Sequence, residues 1–397
     1  MWTLVFSIGL LAAAPPAVEV ETLDGAAMAG GLSELGDKGI KLTTEHGPVA
    51  LEIGKLAGIS PKGGQEGAGP APAVWLELVD GSSPVGSAYT ATEGLARLTL
   101  ASGEPLDLPT QDVRWVRFQA PSGAAPGQWS RILGMDLKSD LLVVKTAEGI
   151  DYHKGLLRDV TAEAVKFELD GEVLPIQRSK VYGLAYYHPA GRELPQALGA
   201  IVETSGATWL VQTIQLAGEK IEWTTPTGLK LSRPPAAIKR IDFSRDKIAY
   251  LSDLEPESVA WTPYVHFGKD FPARTESAAP RRDRSRDAGP LVLDGKSYGK
   301  GLGLSSRTLV VYRLPERFSR FVATAGIDDR VRPLGHVRLV IRGDDKTLLE
   351  TAVAGTEPAR PVSLDLSGVR RLSILVDFGE DLDVADHLDL GDAKLVK

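Results

Sequence analysis

An all-β chain is what this sequence predicts: a C-terminal jelly-roll sandwich preceded by about four small antiparallel β repeats. Three observations carry that prediction. Glycines recur in pairs at one fixed spacing through the first 243 residues. Short runs of alternating apolar and polar residues fill the intervals between them. The C-terminal stretch then changes character, with longer alternating runs that end in an acidic segment.

The repeats come first. In the pairs Gly25/Gly47, Gly81/Gly103, Gly149/Gly171 and Gly206/Gly228 the separation is 22 residues every time. Each first glycine closes a strand-like run (VEVETLDG, VWLELVDG, LLVVKTAEG, AIVETSG). Each second glycine closes another (GIKLTTEHG, LARLTLASG, AVKFELDG, KIEWTTPTG), and a last apolar pair follows it. Glycine between alternating apolar runs marks a hairpin, because it accepts the positive φ that tight turns require. The expected repeats are residues 18–61, 74–118, 129–188 and 199–245, each of about five short strands. Their strand pattern resembles the Sm and SH3-like barrels. Residues 61–73 and 119–128, rich in Gly, Pro and Ala, read as flexible connectors. Units of this size pack side by side to bury what one cannot, so the array reads as a spacer or a docking region for cell-envelope proteins.

Composition narrows the class. A net charge of -7 lacks the basic surplus that nucleic-acid binding needs, so nucleic acid is excluded as a partner. Residues 4–14 (LVFSIGLLAAA) form an apolar run too short for a bilayer and ending in small side chains. The expectation is a signal peptide over residues 1–17, with export to the periplasm, the cell surface or the medium and no membrane span after its removal. The absence of cysteine removes disulfides, thiol chemistry and zinc–thiolate sites.

Residues 291–397 carry the sandwich pattern in TLVVYRL, RFVATA, HVRLVIR, VSLDL and RLSILVDF. Residues 246–290 form a lead-in whose Trp261, Tyr264 and Phe267 pack on the module. Within it, residues 281–287 (RRDRSRD) read as a solvated mixed-charge connector. The segments LVLDGKSYGKGLGLSSRTLVVYRL, ATAGIDDRV and DVADHLDLGDAKLV resemble the NPCBM family of carbohydrate-binding modules, related to the galactose-binding β-sandwiches, over roughly residues 250–397. That resemblance implies a protein that holds a polysaccharide or glycoprotein glycan and does not cut it.

The resemblance also implies where to look. Asp328 and Asp329 match the family's Gly-x-Asp-Asp turn and His387 its Asp-His motif; with Arg307 they are the candidate sugar ligands. Leu390 stands where the family has Trp, and Ser305 where it often has His. The acidic segment 377–392 contains Asp381, Asp383, Asp386 and Asp389, candidate ligands of a structural calcium implied by related sandwiches. An acidic loop capping its own backbone N–H groups is the alternative. No catalytic constellation is present: the six histidines are scattered, no G-x-S-x-G elbow occurs, and the interval from Gly289 to Gly295 is too long for a P-loop. The rival reading is a cell-envelope structural or assembly protein whose sandwich binds protein partners and no sugar.

Overall fold

The computed structural model describes residues 15–63, 71–120, 122–189, 192–264, 279–315, 318–380 and 382–397. The expected signal segment, most of the first connector, Phe267 and Asp381 lie outside these residues. The chain divides into two compact units, Met1–Thr22 with Ala27–Phe243, and Leu23–Ala26 with Ser244–Lys397. Both are built from antiparallel strands. Among the described residues no helix is long and apolar enough to cross a membrane.

In the first unit the repeats are visible strand by strand. The first comprises Ala17–Thr22, Ala27–Gly36, Gly39–Thr44, Gly47–Glu52 and Leu56–Pro61. A one-turn 3-10 segment, Ile53–Lys55, precedes its last strand, and the same turn recurs as Thr110–Asp112, Arg178–Lys180 and Pro235–Ala237. All eight spaced glycines sit at hairpin turns with φ between +84° and +141°. At Gly103 nothing lies within 4 Å of where a Cβ would stand, so only backbone strain opposes a side chain there. We expect Gly103→Ala to lower stability by about 1–2 kcal/mol. Gly36→Ala, equally open but without positive φ, should be near neutral in the same urea titration.

The repeats do not associate in chain order. Their last strands pair, first with fourth through Ile59↔Ile241 and second with third through Val116↔Leu184. The result is one eight-stranded and one ten-stranded sheet, with Thr213–Ala217, Lys220–Thr224 and Lys230–Arg233 apart in a three-stranded sheet. A single apolar core, including Leu42, Leu98, Phe167 and Trp209, runs through all four repeats.

The connector at 119–128 differs from expectation. Its end opens a helix, Ala125–Leu133, whose Ala125, Trp129 and Ile132 bury one face against Leu141, Val143 and Tyr182. Pro126 in the first turn is compatible with a helix start, where its missing N–H is not needed. The Gly and Pro content hid the 3.6-residue spacing. Gly183 makes room for the ring: a Cβ there would lie 2.8 Å from Trp129.

The second unit is a sandwich of two sheets closing on one core that includes Phe321, Leu339, Ile374 and Leu395. One sheet orders Arg281–Arg282, Gly301–Ser305, His387–Val396, Arg320–Ile327 and Arg360–Asp365, with Ile248–Tyr250 also paired to His387–Val396. The other orders Ser258–Trp261, Thr308–Arg313, Arg371–Phe378, His336–Gly343 and Lys346–Ala354. The lead-in thus gives two strands to the first sheet and one to the second. Residues 281–287, expected to be a solvated connector, are instead docked. Arg281 and Arg282 pair with Gly303 and Leu302, Asp283 accepts the Gly301 N–H, and Ser285 is buried. Pairing to an open strand edge outweighs the pull of the charges toward water, because the backbone groups there need partners.

Candidate functional site

The two family-matched motifs meet, as backbone neighbours. The Asp328 N–H donates to the His387 carbonyl at 3.0 Å, just beyond the register pair Ile327↔Leu388. The Asp328 carboxylate is not offered to a ligand, however. It is 2% exposed, and one of its oxygens accepts the Arg330 N–H at 2.8 Å, a turn cap. Asp329 is likewise engaged: its two oxygens accept the N–H groups of Asp294 and Gly295 at 2.9 and 2.7 Å. It steadies the turn after Leu291–Leu293 together with Arg332.

His387 is half-buried, opposite Ser305 in the register, with Nδ1 3.7 Å from Asp287. Arg307 follows two residues after Ser305 and is exposed. Its Nε lies 3.2 Å from Asp377, whose other oxygen takes Arg338 Nη2 at 3.0 Å. Sequence reasoning had counted Asp377 only as one more acid in the 377–392 run. The register Arg338↔Asp377 and the ion pair with Arg307 give it a separate place.

An exposed aromatic ring packs on Phe378, the residue after Asp377. Tyr264, 44% exposed, packs edge-on against Phe378 with centroids 5.1 Å apart. The preceding residues are fixed by Trp261 Nε1 donating to the Ser306 carbonyl and Thr262 N–H donating to that of Arg307. Arg307 and Arg338 thus share Asp377 in an ion-paired cluster with two exposed guanidinium groups, and Tyr264 is an exposed ring at the same end of the strand through Phe378. Such a set suits a ligand with C–H faces and hydroxyl edges. Leu390, where a stacking Trp was expected from the resemblance, is wholly buried in the core, so in this chain that position offers no ligand platform.

The described carboxylates of the acidic segment have unlike surroundings. Asp383 is exposed, Asp386 accepts the His336 N–H at 3.2 Å, and Asp389 is fully buried. Among the described residues no group of three His, Cys, Asp or Glu side chains could hold a metal ion; Asp381, one of the four expected calcium ligands, lies outside those residues. Burial first, and the neighbouring Asp328 second, push the Asp389 carboxyl up to about 9 despite the opposing pull of Arg330. The Asp389 carboxyl therefore keeps its proton at neutral pH.

Comparison with known proteins follows this geometry. A protein of Renibacterium salmoninarum named "Putative endo-alpha-N-acetylgalactosaminidase" is 27% identical over 154 residues, 38% of this chain but 10% of that protein. The chain thus spans about a tenth of that relative's length. Among solved structures, the CBM51 from Clostridium perfringens GH95 in complex with methyl-galactose shares 23% identity with a TM-score of 0.33. It covers 38% of this chain and 99% of its own. The CBM51-2 and INT domains of Clostridium perfringens ZmpB, in complex with GlcNAc, share 21% identity with a TM-score of 0.33, covering 47% and 40%. Residues 248–396, which take in all three lead-in strands, match the NPCBM/NEW2 domain family.

Proposed function

We propose that the sandwich is a non-catalytic glycan-binding module, carried with a four-repeat β array that serves as spacer or docking region in an exported protein. The observation that carries this is the family match over residues 248–396, within which lie an exposed ring, Tyr264, and the Arg307–Asp377–Arg338 cluster. In this reading the sugar stacks on Tyr264, Arg307 and Arg338 donate to its hydroxyls, and Asp377 accepts. His387, with Asp287 beside it, borders the site. Asp328 and Asp329 act indirectly by fixing the turns. The apolar run at residues 4–14 supports export. The named sugars of the C. perfringens complexes, galactose and GlcNAc, are the first ligands to try.

A glycan array probed with the full chain tests the reading. Retention on specific glycans, lost about tenfold or more in Tyr264→Ala and in Arg307→Ala at unchanged melting temperature, is the expected result. Uniform silence, with an envelope protein captured by the sandwich, would instead favour the structural and assembly role. Release of cleaved sugar by the full chain would contradict the non-catalytic assignment.

A further inference from the structure

Arg307 lies on the crossing between the two sheets of the sandwich. Ser305 ends the strand Gly301–Ser305 and faces His387 in the first sheet, while Thr308 opens Thr308–Arg313 and faces Val376 in the second. Ser306 and Arg307 are the two residues in between. Ser306 and Thr308 are buried and Arg307 is exposed, so the path of the backbone decides where the guanidinium points. From there its Nε reaches Asp377 at 3.2 Å.

The side chains flanking Arg307 do little to fix that path. The hydroxyls of Ser305, Ser306 and Thr308 are buried and make no hydrogen bond among the described residues. The fixed points come instead from the lead-in strand Ser258–Trp261. Its register ends at Trp261↔Thr308, and two further bonds carry the pairing onto the crossing. The Thr262 N–H donates to the Arg307 carbonyl at 3.0 Å, and the Trp261 indole Nε1–H donates to the Ser306 carbonyl at 3.1 Å. One segment thus takes both carbonyls of the crossing. Core packing does not account for the tryptophan. Ser258, Val259 and Ala260 are exposed, Trp261 is half-buried, and none of them belongs to the apolar core of the sandwich. A phenylalanine would cover much the same surface; what it lacks is the indole N–H.

We propose that Trp261 is a positioning residue of the glycan site: its indole N–H holds the Ser306–Arg307 crossing, and so aims the Arg307 guanidinium, without touching the sugar. The inference rests on the glycan-binding reading, in which Arg307 donates to sugar hydroxyls, and adds to it a residue that acts only through Arg307.

A double-mutant cycle on the full chain tests it, titrated well below the melting temperature with methyl-galactose, GlcNAc and the best-retained array glycan. Trp261→Phe should weaken binding about fivefold in the parent and leave it unchanged in Arg307→Ala, where the side chain it serves is already gone. A merely structural loss would weaken both backgrounds alike. The NMR signal of the Arg307 Nε–H, beside Asp377, gives a second readout that needs no sugar. It should shift in Trp261→Phe but not in Glu257→Ala, which removes the ion pair with Arg371 at the other end of the lead-in strand. If Arg307→Ala binds too weakly to measure, that signal decides. Equal losses in both backgrounds, no loss in the parent, or an unmoved Nε–H signal overturns the role of Trp261 and leaves the glycan reading standing. A parent silent across the array overturns both.

Discussion

Deleting residues 244–262 should abolish cooperative folding of the sandwich while leaving the β-repeat unit intact. The segment looks like a tether but contributes to both sheets, Ile248–Tyr250 against residues 394–396 and Ser258–Trp261 against 308–311. Leu251 is wholly buried in the core, and truncating one such leucine costs about 2–5 kcal/mol. Ion pairs Lys300–Asp253, Arg282–Glu255 and Arg371–Glu257 also go, although exposed pairs contribute little each. With domain stabilities of about 5–15 kcal/mol, losing two edge strands and a core side chain suffices. Calorimetry on the deletion variant should show one of two melting transitions missing. Retention of both would mean that the strands from residue 281 onward suffice.

The second large effect is a pH dependence that runs opposite to the usual one. A carboxyl stabilised by ion pairing has a depressed value, and its contribution disappears in acid. Asp389 is the reverse case, raised from an ordinary 3.8 to about 9. Below pH 4 folded and unfolded chains both hold the proton, and nothing is lost. Between about 4 and 9 the unfolded chain releases the proton while the native one keeps it. Stability therefore falls as pH rises, with a limiting slope of about 1.4 kcal/mol per pH unit. Above about 9 both forms are ionised and the slope ends. Asp389→Asn, which cannot ionise, should remove this component. The difference in sandwich melting temperature between variant and parent should widen from pH 5 to pH 9 in the variant's favour. Parallel curves would show that Asp389 is not held protonated in the folded state.

The repeat architecture was legible because the physics that dictates it is local. Positive φ at a hairpin turn selects glycine wherever the turn recurs, and eight such turns at one spacing are hard to mistake. What sequence could not reveal is which repeat pairs with which, since the register Ile59↔Ile241 depends on surfaces formed only after each unit curls. The helix Ala125–Leu133 escaped notice because Pro126 and Gly127 read as loop, although Ala125, Trp129 and Ile132 were already spaced for one face.

At the candidate site, motif matching picked out residues that the fold joins through the backbone while their carboxylates are engaged or buried. Asp328, Asp329 and Asp389 stand out in sequence because carboxylates are chemically versatile. In the fold, Asp328 and Asp329 serve backbone turns and Asp389 sits in the interior, environments invisible without coordinates. Tyr264 gave the opposite difficulty, an aromatic expected to be packing that leaves 44% of its surface to solvent. No periodicity separates a ring buried on both faces from one buried on its edge.

The outer-with-outer, inner-with-inner partnership of the repeats has a consequence for how this chain matures. Asp37 accepts its hydrogen bond from the Ile214 N–H, 177 positions downstream, so the earliest-made repeat waits for the latest. Non-local closures of this length slow folding and prolong the life of half-finished, sticky species. A ribosome or secretion pore delivering the polypeptide from its front end would release an orphan with a bare strand flank. Chaperone escort during that interval is the cost of closing the array as nested brackets.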